Sequence, residues 1–328
     1  MSGPMRIAVP AILDADALAG HDPAARIADL AGETMGTGWH VRLAAGPDRD
    51  LAGLRAAIQR RLDDIVAQMS HWAADSRLRA FNDLPAGHWM ALPGDFAMVM
   101  AAGLAIAEHT GGAFDPAIGR LTDAYGLGPD PRAGEPAGAV LAEALAHSGW
   151  RRLAFDAASA RLRQPGRLWL DLSGIAKGHA VDVIADLLGA HGVRHCLVEI
   201  GGELAGRGMR PDGDPWWVDL ETPPDLCARP LRLALHQLAV ATSGNYVRGD
   251  HSLDPRTGRR VRNGVASVSV IHIRAMEADA WATALTVLGL DEGAAMAVRE
   301  NLAARILARD GAMTREWLSP ALEAMLAD

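Results

Sequence analysis

The chain reads Leu170-Asp171-Leu172-Ser173-Gly174-Ile175-Ala176-Lys177-Gly178 where a strand predicted over 168–172 passes into a helix predicted to continue to Leu188. A glycine-interrupted turn between a strand and a helix can present backbone N–H groups to an anion, and Lys177 adds a positive charge there. The turn is not a Walker A loop, because it lacks the spacing and the Lys-Ser/Thr pair of that motif. A strand-to-helix turn with one lysine is common, so by itself the turn favours an ordinary structural role.

Strands and helices alternate irregularly on both sides of this turn. The other predicted strands are 37–43, 152–155, 161–163, 196–200, 216–221, 231–235, 239–242 and 265–273. The other predicted helices are 51–69, 95–109, 138–148, 277–289, 291–301 and 314–326. Without a regular βαβ repeat, this mixture favours an α+β fold with mixed or antiparallel sheets flanked by helices.

The length and the charge of the chain limit its organisation and its partners. We expect residues 1–32 to be a peripheral N-terminal segment and residues 33–328 to form a single domain, either undivided or of two intimate lobes. The glycine- and proline-rich stretch 126–138 is the best candidate for an internal linker. A net charge of −8 argues against nucleic acid or an anionic membrane surface as a partner.

The sequence also carries expectations about location. It shows no stretch of about 20 apolar residues that could span a membrane. The first residues lack the pattern of a signal peptide or a cysteine for lipid attachment, so the default expectation is a cytoplasmic protein. The two cysteines, Cys196 and Cys227, are expected to be reduced.

The segment Ala278-Asp279-Ala280-Trp281-Ala282-Thr283 carries the first metal candidate. Asp279 and Thr283 are four residues apart, so on a helix they share one face. A carboxylate and a hydroxyl one turn apart are hard oxygen ligands that suit Mg²⁺. The alternative is an acidic residue favoured by the helix dipole and a threonine bonded back to the helix backbone, and the spacing alone favours this alternative.

Three further segments carry candidates with equally ordinary alternatives. Phe114 and Asp115 precede a proline, and Phe114 could stack on a ring or belong to the core. His251 is a general-base candidate because imidazole titrates near neutral pH, but it is one histidine of twelve. Glu199 and Glu203 flank a Gly-Gly pair, and their placement is too weak to indicate an acid–base pair.

The order of these segments nevertheless resembles that of the ApbE family of FAD:protein FMN transferases. The resemblance covers about residues 33–290 and rests on Met35-Gly36-Thr37, Asp75-Ser76, Phe81-Asn82, Gly112 to Pro116, Asp171 to Gly178, Gly201-Gly202, Thr242-Ser243-Gly244, His251 with Asp254 to Gly258, and Ala278 to Thr283. It implies an ApbE-like, T-fold-like architecture. It also implies an enzyme that moves FMN from FAD to a Thr or Ser hydroxyl of an acceptor flavoprotein, forming a phosphoester and releasing AMP.

The resemblance also implies roles for individual residues. Mg²⁺ would be held by the side chains of Asp279 and Thr283 and by the backbone carbonyl of Gly174. His251 would activate the acceptor hydroxyl. FAD would contact Met35, Trp72, Ala113, Phe114, Asp115, Asp171, Lys177 and Leu253, with Trp72 standing where the family commonly has a stacking tyrosine.

Two alternative functions stay open beside this hypothesis, and the sequence departs from the family pattern in two respects. The same site with water as nucleophile would be a Mg²⁺-dependent FAD pyrophosphatase giving FMN and AMP, and a third reading is a non-catalytic flavin-binding protein. Many family members are exported lipoproteins, whereas this sequence shows neither an export signal nor a lipid cysteine. Gly174 stands where alanine is common, which leaves a backbone ligand unchanged.

Overall fold

The computed structural model describes residues 4–10, 12–131, 134–245, 252–311 and 313–327. The chain forms two compact units. Unit 1 contains residues 1–62, 177–246 and 264–328, and unit 2 contains residues 63–176 and 247–263.

Strands and helices alternate irregularly along the chain, as the sequence predicts. The strands are β1 (Arg6–Ala8), β2 (Arg26–Thr34), β3 (Thr37–Ala45), β4 (Trp89–Ala91), β5 (Ala154–Asp156), β6 (Arg161–Arg163), β7 (Cys196–Ile200), β8 (Glu203–Arg207), β9 (Trp216–Asp219), β10 (Leu231–Leu235), β11 (Leu238–Gly244), β12 (Leu253–Asp254), β13 (Arg259–Arg260), β14 (Val265–His272), β15 (Ala303–Asp310) and β16 (Met313–Leu318). The α-helices are α1 (Leu51–Met69), α2 (Arg77–Asn82), α3 (Gly94–His109), α4 (Gly119–Ala124), α5 (Gly138–Ala146), α6 (Ala176–Ala190), α7 (Ala275–Arg299) and α8 (Pro320–Glu323). Short 3₁₀ turns lie at Asp16–Leu18 and Trp150–Arg152.

Unit 1 is built on a sheet whose eight described strands run in the order β16-β15-β14-β11-β8-β7-β3-β2. Every neighbouring pair in it is antiparallel. A second sheet adds one parallel pair, β1 with β10, beside the antiparallel pair β10 with β9. Helix α7 packs on β11 and β14. The predicted α+β class with mixed or antiparallel sheets and flanking helices is confirmed.

Side-chain alternation explains how single elements sit in unit 1. In β3 the residues Trp39, Val41 and Leu43 are buried while His40 and Arg42 between them are exposed, as expected for a strand with one covered face. Helix α1 begins after Asp50, whose Oδ1 accepts a hydrogen bond of 2.8 Å from the Gly53 N–H, as expected for an N-cap residue.

A two-residue hairpin joins β7 to β8 and places Glu203. Gly201 and Gly202 have φ values of 63° and 102°, a region that favours glycine because it has no Cβ. Ile200 pairs directly with Glu203 across the hairpin. The Gly-Gly pair in the sequence therefore sets the register of the first residue of β8.

Unit 2 combines helices with small sheets. Its three-stranded sheet runs in the order β4-β6-β5, and β12 pairs with β13. A core cluster joins residues of α4 and α5 to the first residue of β12, and its buried members are Leu121, Ala124, Tyr125, Ala144 and Leu253.

The strand predicted over 168–172 is wrong. The alternating leucines Leu168, Leu170 and Leu172 are buried as in a strand, but the segment pairs with no neighbouring strand among the described residues. Instead, the Leu170 N–H donates to the side chain of Asn82 and the Asp171 N–H donates to the Pro116 carbonyl. Hydrogen bonds to a side chain and to a loop carbonyl replace the strand-to-strand hydrogen bonds that the alternating pattern predicted.

The helix predicted over 314–326 is also wrong. Met313–Leu318 is strand β16, paired antiparallel with β15, which the sequence pattern had not indicated as a strand. The helix that follows is only Pro320–Glu323, with Ser319 as its N-cap and Pro320 in its first turn. Pairing with β15 outweighs the helical preference of the segment.

The two helices predicted over 277–289 and 291–301 correspond to α7, which is interrupted at Gly289 with φ 85° and ψ −179°. The predicted boundary after residue 32 stays a prediction, but the segment before it contributes β1 and most of β2. Among the described residues, no helix combines the length and the apolar character required to cross a bilayer.

Candidate functional site

Unit 1 carries the predicted metal ligands on α7. Asp279 lies in the second turn of the helix and is 5% exposed. Its Oδ2 accepts a hydrogen bond of 3.0 Å from the backbone N–H of Gly178 on α6. Thr283 follows one turn later on the same helix and is half-buried. The prediction that the two side chains share one face of a helix is therefore confirmed.

Close packing of α6 and α7 holds Asp279 in place. A Cβ atom on Gly178 would lie 2.2 Å from the carbonyl oxygen of Ala275, so only glycine permits this approach. Four residues later on α6, the fully buried Asp182 accepts hydrogen bonds of 2.9 Å and 3.0 Å from the N–H groups of Ala275 and Met276. These N–H groups begin α7 and have no partner within their own helix. Asp182 thus caps the helix that carries the predicted metal ligands.

A second buried carboxylate accompanies Asp279. Glu203 is 2% exposed, and its Oε1 contacts the ammonium group of Lys177. Its other oxygen, Oε2, is buried and has no hydrogen-bond partner among the described residues. Burial raises the pKa of Glu203 to about 8; the charge of Lys177 opposes this rise and the charge of Asp279 adds to it. Burial also raises the pKa of Asp279, against the charge of Lys177 and the hydrogen bond from Gly178.

This arrangement fits a divalent cation. Two buried carboxylates face a single ammonium, so the ionised group carries an excess negative charge in a medium that screens it poorly. One carboxylate oxygen is also left without a partner. Within the described residues no group of three or more His, Cys, Asp or Glu side chains is placed to hold a metal. A magnesium ion would therefore need the hydroxyl of Thr283, a backbone carbonyl or substrate phosphates as additional oxygen ligands.

Unit 2 contains the predicted FAD residue Asp171. It is 7% exposed and accepts hydrogen bonds from Thr122 Oγ1 at 2.6 Å and from Ser173 N at 2.9 Å and Oγ at 2.6 Å. The Nδ1 atom of His71 lies 3.8 Å from its Oδ1. Burial acts to raise the pKa of Asp171, but His71 and these hydrogen bonds together lower it. Asp171 is therefore an ionised acceptor beside a small pocket that it lines with His71 and Thr122.

The Asp115 carboxylate of unit 2 has a raised pKa, in contrast to the lowered pKa of Asp171. Its oxygens accept hydrogen bonds from Ala117 N at 2.7 Å and from Trp150 N at 3.0 Å. Burial nevertheless raises its pKa from 3.8 to about 6. The preceding residues Ala113 and Phe114 are 1% and 4% exposed, and the Phe114 ring packs beside Gly103. The core alternative for Phe114 is thus observed, while its contact with FAD stays a prediction.

The indole of Trp72 has a surface suited to stacking. Trp72 is 62% exposed, and its ring centroid lies 5.4 Å from that of His71 at an interplanar angle of 38°. A large apolar side chain that remains this exposed is a candidate for contact with a ligand ring.

Comparison with known proteins agrees with these features. The model of the ApbE family matches residues 35–306. This chain belongs to the ApbE family. It is 33% identical to the FAD:protein FMN transferase of Klebsiella pneumoniae (strain 342), with 93% of this chain and 91% of that protein covered. It is 32% identical to the FAD:protein FMN transferase of Vibrio cholerae, with 94% and 96% covered.

Solved ApbE structures have the same fold. The apo form of the Pseudomonas stutzeri flavinyl transferase ApbE has a TM-score of 0.86 and 33% identity, covering 93% of this chain and 98% of that chain. The flavin transferase ApbE from Vibrio cholerae also has a TM-score of 0.86, with 32% identity and 92% and 99% covered. The ApbE-like architecture expected from the sequence is therefore confirmed.

The remaining predicted site residues differ in their settings. Met35 has a φ of 50° in the turn between β2 and β3 of unit 1. Gly174 lies in the turn before α6, and Leu253 is a buried member of the unit 2 core cluster. His251, the predicted catalytic residue, lies outside the described residues. The roles of these residues toward FAD, metal and acceptor stay predictions.

Sequence reasoning set Glu203 aside as too weakly placed, and it missed Asp182 and His71 as residues of the site. Glu203 follows a Gly-Gly pair that sets a tight hairpin, and Asp182 lies four residues after Gly178 on one face of α6. These sequence patterns indicate where Glu203 and Asp182 lie but not which residues they contact. The contacts of Glu203 with Lys177 and of Asp182 with α7 join residues that are distant in the sequence.

Proposed function

We propose that this chain transfers FMN from FAD to a Thr or Ser hydroxyl of an acceptor flavoprotein. The acceptor oxygen forms a bond to the phosphorus on the FMN side of the pyrophosphate. The bond from that phosphorus to the bridging oxygen breaks, AMP leaves with the bridging oxygen, and the hydroxyl proton is released. The observation that carries the proposal is the buried group of Asp279, Glu203 and Lys177 in a member of the ApbE family.

The predicted metal ligands and Lys177 would act on the pyrophosphate. We assign Asp279, Thr283 and the backbone carbonyl of Gly174, in the turn that precedes Lys177, to binding Mg²⁺. The chemistry supplied by a bound Mg²⁺ is neutralisation of the charge on the phosphate oxygens. Lys177, whose side chain is 25% exposed, adds a positive charge that stabilises the developing negative charge as AMP leaves.

The other predicted residues would bind and orient FAD. Asp171 is held ionised by its hydrogen-bond donors, so it accepts a hydrogen bond from a hydroxyl or N–H group of the ligand. Trp72 offers an exposed indole face to a ring of FAD. Met35, Ala113, Phe114, Asp115 and Leu253 are assigned to FAD binding, and His251 to deprotonation of the acceptor hydroxyl.

One assay tests the reaction. The protein is incubated with FAD, Mg²⁺ and a candidate acceptor domain that carries a threonine at its flavin site. Flavin fluorescence of the acceptor is read in a denaturing gel, and AMP is measured in the same sample. Transfer predicts a fluorescent acceptor band and one AMP per flavin attached, and a Thr→Ala acceptor should give no band. AMP without a band would instead indicate the FAD pyrophosphatase.

Substitutions on α7 test the metal assignment. Asp279→Ala should abolish Mg²⁺-dependent AMP release, and Thr283→Ala should reduce it. Thr286→Ser is the matched control, because Thr286 bonds to the Ala282 carbonyl within the same helix and serine keeps that hydroxyl. Full activity of Asp279→Ala would refute the assignment of Asp279 as a metal ligand.

A further inference from the structure

The dipeptide Lys177-Gly178 contacts both buried carboxylates of unit 1. The Gly178 N–H donates to Asp279 Oδ2 at 3.0 Å, and the Lys177 ammonium contacts Glu203 Oε1. The Gly178 backbone therefore binds one carboxylate, and the Lys177 side chain binds the other. The charge of the Lys177 ammonium also acts on the Asp279 carboxylate and opposes the rise in its pKa.

The ammonium has two possible anionic partners in this group. An ion pair in a poorly hydrated site is far stronger than one in water, so the loss of one partner drives a buried charge toward another. If Glu203 were neutral, Asp279 would still attract the Lys177 ammonium. An ammonium paired with Asp279 would compete with a metal ion for the same oxygens.

The hairpin fixes Glu203 where it can prevent this competition. Gly201 and Gly202 form the turn, and Glu203 pairs with Ile200 as the first residue of β8. Its side chain is almost fully buried, so the carboxylate cannot swing into solvent. Lys177, on a flexible stem of four methylenes, is the more mobile partner.

We infer that Glu203 is a positioning residue that holds the Lys177 ammonium away from Asp279 and thereby keeps the Asp279 carboxylate open to the metal ion. The inference rests on the metal-binding role given to Asp279 in the proposed function. It adds Glu203 as a residue that is not itself a metal ligand. It also predicts that Glu203 and Lys177 act on metal binding jointly rather than independently.

A double-mutant cycle tests this with metal binding as the readout. The affinity for Mn²⁺ is measured by electron paramagnetic resonance without FAD, under nitrogen at pH 8.5, above the pKa of about 8 of Glu203. The four proteins are the wild type, Glu203→Gln, Lys177→Met and the double variant. Thermal unfolding of each protein confirms that it is folded.

Joint action predicts a specific pattern of affinities. Glu203→Gln should weaken Mn²⁺ binding by about tenfold or more, the range seen when residues that orient metal ligands are replaced. Lys177→Met should change the affinity little in the wild-type background, because Lys177 is already held by Glu203. In the Glu203→Gln background the same change should restore most of the lost affinity. If only net charge mattered, Lys177→Met would change the Mn²⁺ affinity by the same factor in the wild type and in Glu203→Gln.

Glu199→Gln is the matched control. It removes the same charge from the same hairpin, but Glu199 neighbours Ile200 along β7 and so projects to the opposite face from Glu203. Its Mn²⁺ affinity should match that of the wild type.

The outcomes separate this inference from the proposed function. Equal effects of Lys177→Met in the two backgrounds, or unchanged affinity in Glu203→Gln, would overturn the inference and leave the transferase proposal intact. The predicted cycle in a protein that transfers no flavin would support the inference and refute the transferase. A wild type that binds no Mn²⁺ would refute both the metal assignment and the inference.

Discussion

The backbone N–H of Gly178 on α6 donates a 3.0 Å hydrogen bond to the Asp279 carboxylate on α7. This bond exists because Gly178 has no side chain, so α6 can approach the first turn of α7 closely. The bond engages Oδ2, one of the two carboxylate oxygens of Asp279. The orientation of the predicted metal ligand thus depends on a glycine that is distant in the sequence.

Gly178→Ala should therefore damage both stability and metal binding. The new Cβ would lie 2.2 Å from the Ala275 carbonyl oxygen and 2.9 Å from the Asp279 Cβ, so α7 must shift. We expect a loss of about 1–3 kcal/mol in the free energy of unfolding, typical of overpacking, and loss of Mg²⁺-dependent AMP release. Denaturant unfolding and the AMP assay measure the two effects.

Gly189→Ala on the same helix is the control. Its Cβ would meet no atom within 4 Å, so we expect no loss of stability and normal activity. Equal damage by the two alanines would show that the close approach of α6 and α7 does not set the requirement for glycine at Gly178.

Asp182→Asn should destabilise the start of α7. Asp182 accepts from the N–H groups of Ala275 and Met276 with its two oxygens, whereas asparagine has one acceptor oxygen and an NH₂ group that faces an N–H. A lost hydrogen bond to a buried charged group costs about 1.5–3 kcal/mol. Hydrogen exchange of the first turn of α7 should be faster, and Mn²⁺ binding should weaken.

The exposed Asp186 is the comparison for Asp182. Its Oδ2 lies 3.3 Å from Arg274 Nη1 at the surface, so Asp186→Asn should change the stability by less than about 1 kcal/mol. A similar loss in both variants would contradict the capping role of Asp182.

Asp115 should make the stability depend on pH. Burial raises its pKa from 3.8 to about 6, so the folded state holds the proton more tightly than the unfolded chain does. The stabilisation is fully present below about pH 4 and is lost as the pH rises through about 6. A shift of this size corresponds to about 3 kcal/mol.

Substitution isolates this contribution of Asp115. The free energy of unfolding of the wild type and of Asp115→Asn is measured between pH 4 and 7, and the difference between the two should change with pH in this window. A constant difference would show that Asp115 does not titrate as its burial implies.

Trp72 tests the stacking hypothesis without disturbing the core. The side chain is 62% exposed, so Trp72→Ala should leave the unfolding temperature nearly unchanged. Loss of an aromatic pair worth about 0.5–1.5 kcal/mol should raise the KM for FAD roughly 2- to 12-fold. Trp72→Tyr should retain most of the affinity, and an unchanged KM in Trp72→Ala would contradict stacking.

Local patterns predicted much of the architecture. Helix α1 and the strands β3 and β14 follow from patterns of residues close in sequence, and the structure confirms them. Local patterns failed at 168–172 and 314–326. In both segments the hydrogen-bond partner decides the conformation, and that partner lies elsewhere in the chain.

For the candidate site, the sequence by itself determined that Asp279 and Thr283 share a helix face, because a spacing of four residues and the helical repeat suffice. The ordered motifs also identified the family, which the comparisons confirm. Only the tertiary structure decided that Gly178 and Asp182 orient α7 and that Lys177 pairs with Glu203. These contacts depend on how α6, α7 and the β7–β8 hairpin pack, and burial gives them their strength because water no longer screens the charges.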